Sequence, residues 1–480
     1  MLGSRLRGIF EAPRSAGPGY RRDIDGLRAV AVLAVILFHA APWVPGGYVG
    51  VDVFFVISGF LITGQIASEL DQNRFSLATF WVRRVRRIWP AAIVMTCAVL
   101  AASWLMLMPG DYWHTAKDAM AQALMVANIH LWKHLPLGYF APTSDTRPLL
   151  HVWSLAVEEQ FYVFLPLLMM ALWRLGRNRF AWLLAILATA SFTSSIIWLP
   201  SEPRAVFYLL PFRAWELLLG SLVALGMANE ATGNVRSLVS RRFIAEAGSI
   251  IGLFIILVCC FRYTHQTAFP AASALPPCLG AAMIIVAFGS RGSPTPLVNR
   301  LLSLEPLPSI GKLSYSLYLW HWPMLAFIRY CDPKPGIPSI VAMAALIPVS
   351  YLSWRWIEQP FRVGTGDVEP VRSLHSMRFA AWRPVLVGSL AWAVVYAGGG
   401  LIARKGGIAS RLSPAEREFI QSSFFHGQAA RLVIVPHYER ESLLELPIPA
   451  MPDRDLFPRL GANSVEGRPD FLLWGDSHGQ

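Results

Sequence analysis

The sequence predicts an all-α polytopic membrane protein, and three observations carry that prediction. Hydrophobic residues make up 54% of the 480-residue chain and charged residues only 15%, whereas a soluble domain carries about 25% charged residues. The hydrophobic residues are gathered into stretches that approach about 20 residues, the length a helix needs to cross a bilayer. Lys and Arg gather in alternate connections between those stretches, as they do when they mark the cytoplasmic side of a membrane.

Eleven hydrophobic stretches approach the length of a membrane span. They are residues 27–44, 48–68, 89–109, 154–175, 179–199, 205–227, 243–262, 271–290, 310–331, 337–357 and 380–403. With the N-terminus placed in the cytoplasm, the inner connections carry 23 Lys and Arg residues and the outer connections carry six. The net charge of +12 is therefore explained by membrane orientation, and we expect no nucleic-acid partner.

The predicted domain organisation follows from these spans. It comprises a cytoplasmic N-terminal tail (1–22), a ten-helix membrane core (23–362), a cytoplasmic loop (363–379), an eleventh transmembrane helix (380–403), a periplasmic linker (404–468) and a short last segment (469–480). A capping-box pattern at Ser413 and Glu416 predicts a short helix within the linker. The five cysteines lack metal-ligand spacing and most lie in hydrophobic stretches, so we expect neither a disulfide framework nor a metal site.

The first span carries an arginine and a histidine on one face. Arg28 and His39 are 11 residues apart, close to three helical turns and about 16 Å along the axis. Arg28 would lie near the cytoplasmic end and His39 near mid-membrane, where a histidine can exchange a proton near neutral pH. Polar groups within a span often mark functional sites, although an interfacial anchor and a polar contact between helices would give the same pattern.

The second and third spans add further polar positions. Asp52 and Gly59 share a helical face, with Ser58 adjacent. Small residues there would equally serve close helix packing, and Asp52 could be a solvated helix end. Arg84 and Arg87 face together at the start of the third span, where guanidinium groups would either bind phosphate or anchor the helix at the interface.

The segment "HVWSLAVEEQFYVF" (151–164) places two carboxylates at the start of a span. His151, Glu158 and Tyr162 are spaced by seven and four residues, so they lie on one helical face. A carboxylate in a low-dielectric site could trade protons with a histidine. This pattern favours a catalytic role for Glu158, with Glu159 as its outward-facing companion.

Two later segments carry the remaining candidates. His321 lies mid-span and two residues before Pro323, which weakens the helix and frees a carbonyl group; packing of the surrounding aromatic residues would explain the same segment. Glu358 lies between Arg355 and Arg362 at the predicted cytoplasmic end of the tenth span, where an ion pair or a helix end is the simpler interpretation.

Taken together, these segments resemble the acyltransferase-3 family of integral membrane O-acyltransferases. The matching segments, in order across residues 21 to 362, are "RRDIDGLRAVAVLAVILFH", "VGVDVFFVISGFLI", "RRVRRIWP", "HVWSLAVEEQFY", "LSYSLYLWHWP" and "IEQPFR". The resemblance implies transfer of an acyl group, usually acetyl from acetyl-CoA, across the membrane to a hydroxyl of an envelope polysaccharide such as O-antigen, peptidoglycan or capsule. It implies no tightly bound cofactor, with acetyl-CoA acting as the donor substrate.

The resemblance also implies roles for individual residues. The family's arginine–x10–histidine motif falls on Arg28 and His39, and its arginine–x2–arginine motif falls on Arg84 and Arg87. The three arginines would hold the coenzyme A phosphates at the cytoplasmic mouth. His39 would act as base or acyl acceptor at the end of the pantetheine arm.

The last segment, "LLWGDSH" (472–478), resembles the first block of an SGNH-type esterase domain, which one branch of the family carries after an eleventh span. In that branch Ser477 would be the nucleophile that receives the acyl group outside the membrane. The later blocks, which supply the base, are not in this sequence, so we expect Ser477 to be inert and the chain to be cut short. The family and the topology together predict a bacterial inner membrane location.

Two other classes of protein are weighed against this interpretation. A transporter or flippase would also need intramembrane His, Glu and Arg residues. It would be expected to show broken helices and paired repeats as well, and we do not find these patterns in the sequence. A non-catalytic membrane scaffold would tolerate the loss of His39 and Glu158. The sequence does not identify the glycan, the acceptor hydroxyl or the oligomeric state.

Overall fold

The computed structural model describes residues 20–40, 43–135, 138–140, 144–228, 242–288, 295–331, 337–362, 379–412, 414, 431–433 and 472–474. The chain divides into two compact units, Met1–Gly407 and Ile408–Gln480. The first unit carries all the long helices, and the second carries a short helical turn and a pair of short strands.

The described residues of the first unit contain sixteen α-helices. They are α1 (Arg22–Ala40), α2 (Gly50–Asp71), α3 (Leu77–Met106), α4 (Pro109–Ala123), α5 (Ala127–His134), α6 (Val152–Leu172), α7 (Arg177–Trp198), α8 (Pro203–Tyr208), α9 (Leu210–Ala228), α10 (Arg242–Arg262), α11 (Ala271–Ala287), α12 (Leu297–Leu302), α13 (Leu307–Cys331), α14 (Ile337–Leu352), α15 (Gln359–Arg362) and α16 (Phe379–Arg404). Two 3₁₀ turns, Gly47–Val49 and Trp173–Leu175, and a π-helix, Ser353–Glu358, complete this unit.

The described residues of the first unit are helical and include several membrane-length helices, consistent with the predicted all-α multi-pass membrane protein. Each of the eleven predicted stretches lies on one of the long helices. Seven segments of the described chain are long and hydrophobic enough to cross a membrane: Gly47–Asp71, Leu77–Met106, Val152–Leu175, Arg177–Trp198, Pro203–Ala228, Arg242–Arg262 and Arg383–Arg404. Four of the eleven helices fall outside this set, for physical reasons: α1 has charges near its start, α13 is rich in polar and aromatic residues, and α11 and α14 are shorter. The number of eleven crossings stays a prediction.

Glycines bring the central helices into backbone contact. A Cβ atom on Gly59 of α2 would lie 1.8 Å from the carbonyl oxygen of Leu217, and one on Gly220 of α9 would lie 2.0 Å from that of Val56. The α1–α13 pair is equally close, since a Cβ on Gly311 would lie 1.8 Å from the Asp25 carbonyl oxygen. Small residues at these positions let packed helices approach without side chains between them, so the packing interpretation of Gly59 is correct.

The second unit contains the 3₁₀ turn Ala409–Arg411 and the strands β1 (Arg431–Val433) and β2 (Leu472–Trp474). The strands pair antiparallel, with Leu432 opposite Leu473. β2 covers the first three residues of the "LLWGDSH" segment. Ser477 and the helix predicted at Ser413–Glu416 lie outside the described residues, apart from position 414.

Candidate active site

The largest group of predicted site residues lines a single cleft, called here the arginine cleft. Its volume is about 870 Å³, open space at its mouth included. Residues of α1, α2, α3, α6 and α13 form its walls. The polar and aromatic lining residues are Arg28, Phe54, Phe55, Ser58, Arg84, Arg87, Ser154, Glu158, Tyr162, Ser314, Tyr315 and Tyr318. The structure thus brings the three predicted donor-binding arginines together although they come from two helices.

Neighbouring side chains hold these guanidinium groups in place. Arg28 Nη1 lies 3.4 Å from Asp25 Oδ1, and Arg84 Nη2 donates to Gln65 Oε1 at 2.9 Å. Arg87 lies close enough to act electrostatically on both arginines. Three like charges that converge on one cleft repel each other, so a bound anion such as a phosphate would be favoured there.

Glu158 lies in the wall of the arginine cleft. Its Oε1 atom accepts a hydrogen bond from Ser58 Oγ at 2.9 Å, and its Oε2 atom accepts one from the Tyr162 hydroxyl at 3.0 Å. Arg28 and Arg87 are among its electrostatic neighbours. These hydrogen bonds go to hydroxyl groups and not to a histidine. Glu159 was predicted to face outward. It is instead buried, with only 7% of the residue exposed, because neighbouring helices cover this side of α6 as well.

Three histidines meet at the other end of the bundle interior and form what we call the histidine cluster: His39, His151 and His321. His39 Nδ1 and His321 Nε2 lie 3.2 Å apart. The rings of His151 and His321 lie 5.7 Å apart between centroids. All three residues are buried. The cluster joins three helices that are distant in sequence, which explains why spacing alone did not reveal it.

Several groups that the sequence interpretation missed surround His39. Its Nε2 atom lies 2.9 Å from the hydroxyl oxygen of Tyr139. Arg329 donates a short hydrogen bond to the His39 carbonyl oxygen and pairs with Asp145 at 3.1 Å. The Trp322 ring packs edge-on against the imidazole at 4.6 Å between centroids. Tyr139 and Asp145 lie in a connection without periodicity, so no sequence signal pointed to them.

A hydrogen bond and an ion pair hold the connection between α5 and α6 next to the histidine cluster. Trp322 Nε1 donates to the Arg147 carbonyl oxygen at 2.7 Å, and Arg147 pairs with the buried Asp118 at 3.4 Å. Burial raises the pKa of Asp145 above its ordinary value, while the positive charge of Arg329 acts in the opposite direction. These contacts hold Asp145 and Arg147 of this connection beside α13.

The arginine cleft and the histidine cluster share a wall. Ser154 and Tyr318 line the cleft, and their hydroxyl oxygens lie 2.5 Å apart. The Tyr318 hydroxyl also donates to the His151 carbonyl oxygen at 3.1 Å, and its ring lies 5.3 Å from that of His321. A ligand that extends from the arginines along the cleft would therefore end beside the histidines.

Asp52 does not lie at a solvated helix end, which its position in the sequence had allowed. It is fully buried, and its Oδ1 atom lies 2.9 Å from Arg213 Nη2. Glu216 lies 3.3 Å from the same guanidinium nitrogen. The aromatic rings that lie within cation–π distance of Arg213 are Phe55, Trp153, Phe207 and Phe269. The i, i+3 pair of Arg213 and Glu216 within a hydrophobic stretch was the missed sequence signal.

Glu358 is buried in the π-helix, and its carboxylate pairs with Arg362, as the ion-pair interpretation predicted. It accepts a short hydrogen bond from Ser316 Oγ and lies 3.9 Å from Arg362. Arg355 is exposed. Within the part of the chain that the structure describes, no group of three or more His, Cys, Asp or Glu side chains is arranged to hold a metal ion.

Comparison with known proteins decides the family. The family model of the acyltransferase domain (acyltransferase-3) matches residues 21–357. The chain belongs to the acyltransferase-3 family. No solved structure matches the chain.

Two curated relatives of this acyltransferase-3 chain illustrate the similarity. The peptidoglycan O-acetyltransferase OatA of Listeria monocytogenes serovar 1/2a is 31% identical over 378 residues, which is 77% of this chain and 60% of the relative. The O-acetyltransferase OatA of Staphylococcus aureus strain NCTC 8325 is 32% identical over 357 residues, or 72% of this chain and 58% of the relative. The aligned part of the chain thus spans about three fifths of these relatives.

Proposed function

We propose that this protein is a membrane O-acyltransferase that moves an acyl group, in particular acetyl, from acyl-CoA to a hydroxyl of a cell-envelope polysaccharide. One observation carries the proposal above all others. The arginine cleft runs from three guanidinium groups to Ser154 and Tyr318, which contact the histidine cluster. A cleft with cationic groups at one end, and at the other a wall whose Ser154 and Tyr318 contact the histidine cluster, suits a donor with phosphates at one end and a thioester at the other.

The donor would bind with its phosphates on Arg28, Arg84 and Arg87. Guanidinium groups form paired, charge-assisted hydrogen bonds with phosphate oxygens. The pantetheine arm would extend along the apolar and aromatic walls of the cleft. The 11-residue separation of Arg28 and His39 corresponds to about 16 Å of helix, and a long, thin donor could bridge it.

The chemistry at the inner end would begin with removal of a proton from the acceptor hydroxyl. The Nε2 atom of His39 would take that proton, or would itself receive the acyl group before the acceptor does. The carbon–sulfur bond of the thioester breaks, a carbon–oxygen bond forms, and the thiolate leaves as the thiol after taking a proton. Glu158, in the wall of the same cleft, is the proposed acid–base partner at the donor side.

The acceptor and the orientation form the rest of the proposal. The relatives named as O-acetyltransferases, one of them a peptidoglycan O-acetyltransferase, favour peptidoglycan over O-antigen or capsule as the polysaccharide. The distribution of Lys and Arg favours eleven crossings of the bacterial inner membrane, with a cytoplasmic N-terminus and a periplasmic C-terminal segment. The acyl group would then travel from the cytoplasmic donor to the periplasmic glycan.

Release of free coenzyme A from acetyl-CoA by the purified protein in detergent tests the proposal. We expect release by the unaltered chain, and loss of at least about 99% of it in His39→Ala, since a positioned base contributes about 10²–10⁴-fold. His134→Ala is the matched control, because His134 is exposed and bonds only its own helix. Equal release by the His39→Ala and unaltered proteins would refute the mechanism.

A further inference from the structure

The histidine cluster contains an ordered series of hydrogen bonds that ends on a backbone carbonyl. His321 Nδ1 lies 2.6 Å from the Tyr318 carbonyl oxygen. His321 Nε2 lies 3.2 Å from His39 Nδ1, and His39 Nε2 lies 2.9 Å from the Tyr139 hydroxyl oxygen. The ring nitrogens of His321 and His39 follow one another in this series, so the direction of each bond can be worked out from the carbonyl end.

The carbonyl end decides the direction. A carbonyl oxygen can only accept, so His321 Nδ1 must carry the hydrogen. Neutral His321 then has a lone pair on Nε2, and His39 must donate to it from Nδ1. A neutral imidazole carries one hydrogen, so His39 Nε2 is left with a lone pair that faces the Tyr139 hydroxyl.

The alternative protonation states conflict with the surroundings. Reversal of the series would place a lone pair of His321 Nδ1 against the Tyr318 carbonyl oxygen at 2.6 Å. A doubly protonated His321 would be a cation in a residue that is 1% exposed and near the positive charge of Arg329. The Val35 carbonyl in the preceding turn of α1 also lies near the His39 ring, and it too can only accept a hydrogen.

We propose that His321 is a positioning residue that fixes the tautomer of His39 and leaves His39 Nε2 as the free basic atom of the site. This inference deepens the proposed function and rests on the role given there to His39. A buried acceptor plays the same part in other catalytic sites, where it holds an imidazole in the required tautomer and stabilises the imidazolium that forms. Here a neutral imidazole, itself oriented by a backbone carbonyl, provides that acceptor.

Backbone and ring contacts complete the positioning. Arg329 donates to the His39 carbonyl oxygen, and the Trp322 ring packs edge-on against the imidazole at 70°. Because Trp322 and Arg329 lie on the same helix as His321, α13 holds His39 through a backbone bond, a ring contact and an imidazole bond. The His39 ring is thereby oriented toward Tyr139.

The tautomer can be read directly by ¹⁵N NMR of the full chain with labelled histidine. We expect a His39 signal with a protonated Nδ1 and an unprotonated Nε2, assigned by its loss in His39→Ala. This measurement does not depend on enzymatic activity, so it separates failure of this inference from failure of the proposed function. A His39 signal with a protonated Nε2 and an unprotonated Nδ1 would overturn the inference.

A pair of substitutions tests the part played by His321. In His321→Gln, the side-chain oxygen can accept from His39 and the amide nitrogen can donate to the Tyr318 carbonyl, so we expect kcat for coenzyme A release within about tenfold of the unaltered value. His321→Leu offers no acceptor, and we expect kcat to fall by about 10²–10⁴-fold with little change in the KM for acetyl-CoA. An unchanged kcat together with an unchanged His39 tautomer in His321→Leu would overturn the role of His321.

Discussion

At the scale of single residues, the arginine cleft makes the most direct prediction about the donor. Each guanidinium group would contribute one or two charge-assisted bonds to the phosphates, worth about 1.5–3 kcal/mol each. We expect Arg84→Gln and Arg87→Gln each to raise the KM for acetyl-CoA by about 10–100-fold. The same variants should leave the KM for S-acetyl-pantetheine nearly unchanged, because that donor lacks the nucleotide phosphates.

The control for the arginine variants is Arg179→Gln, because Arg179 is exposed at the start of α7 and outside the cleft. Steady-state release of thiol from both donors measures the effect. An equal rise in KM for the two donors would show that the arginines do not bind the nucleotide phosphates.

A second prediction at the residue scale concerns the buried triad of Asp52, Arg213 and Glu216. Removal of one partner from a buried ion pair leaves an uncompensated charge and costs about 3–5 kcal/mol, whereas replacement of the whole group by neutral residues is often tolerated. We expect Arg213→Met to be strongly destabilised in thermal unfolding in detergent. Addition of Asp52→Asn and Glu216→Gln to Arg213→Met should restore most of the lost stability. A triple variant as unstable as the single variant would contradict this explanation.

The sequence predicted which candidate residues share a helical face better than it predicted their partners on other helices. Arg28, Arg84 and Arg87 meet in one cleft, as their helical faces allowed. Tyr139 could not have been found from spacing, because it approaches His39 from a connection 100 residues away. Periodicity reports which residues share a face of one helix, but it does not report which helix lies opposite.

At the scale of helices, glycine spacing determines how closely α2 and α9 pack. A Cβ on Gly59 would lie 1.8 Å from the Leu217 carbonyl oxygen, whereas one on Gly64 of the same helix would meet its nearest atom at 3.9 Å. We therefore expect Gly59→Ala to lower the free energy of unfolding by about 1–3 kcal/mol through overpacking. Gly64→Ala should be neutral or stabilising by up to about 1 kcal/mol, since alanine favours helix.

Thermal unfolding of the two glycine variants in one detergent measures this difference directly. The Gly64 variant is the matched control, because both substitutions add one methyl group to the same helix. A Gly59→Ala protein as stable as Gly64→Ala would show that α2 and α9 can separate without cost. Because Ser58 adjoins Gly59 and bonds Glu158, a shift of α2 would also alter the wall of the arginine cleft.

The positions of the helices were the most predictable part of the structure. Hydrophobic length placed a helix at each of the eleven stretches, because backbone groups in lipid must be bonded within the segment. The short helices α4 and α5 between the third and fourth stretches were not predicted. They are partly polar and shorter than a membrane span.

At the scale of the whole molecule, the resemblance to a family supplied what local physics could not. Six segments in series gave the acyltransferase-3 assignment that the family model then showed over residues 21–357. Charge, burial and distances explain how such a site could act on an acyl donor. No feature of the described residues identifies the polysaccharide acceptor, so the proposal of peptidoglycan rests on the names of the relatives.

The orientation of the molecule makes the last prediction. If the N-terminus and the mouth of the arginine cleft lie on the same side of the membrane, membrane-impermeant acetyl-CoA will support turnover only from that side. In proteoliposomes, external protease reports the fraction of molecules whose N-terminal tag faces outward. We expect the rate of coenzyme A release to increase in proportion to that fraction, and permeabilisation to expose the remaining activity. His39→Ala vesicles give the background rate. A rate proportional to the protected fraction would place the cleft on the opposite side and reverse the proposed direction of transfer.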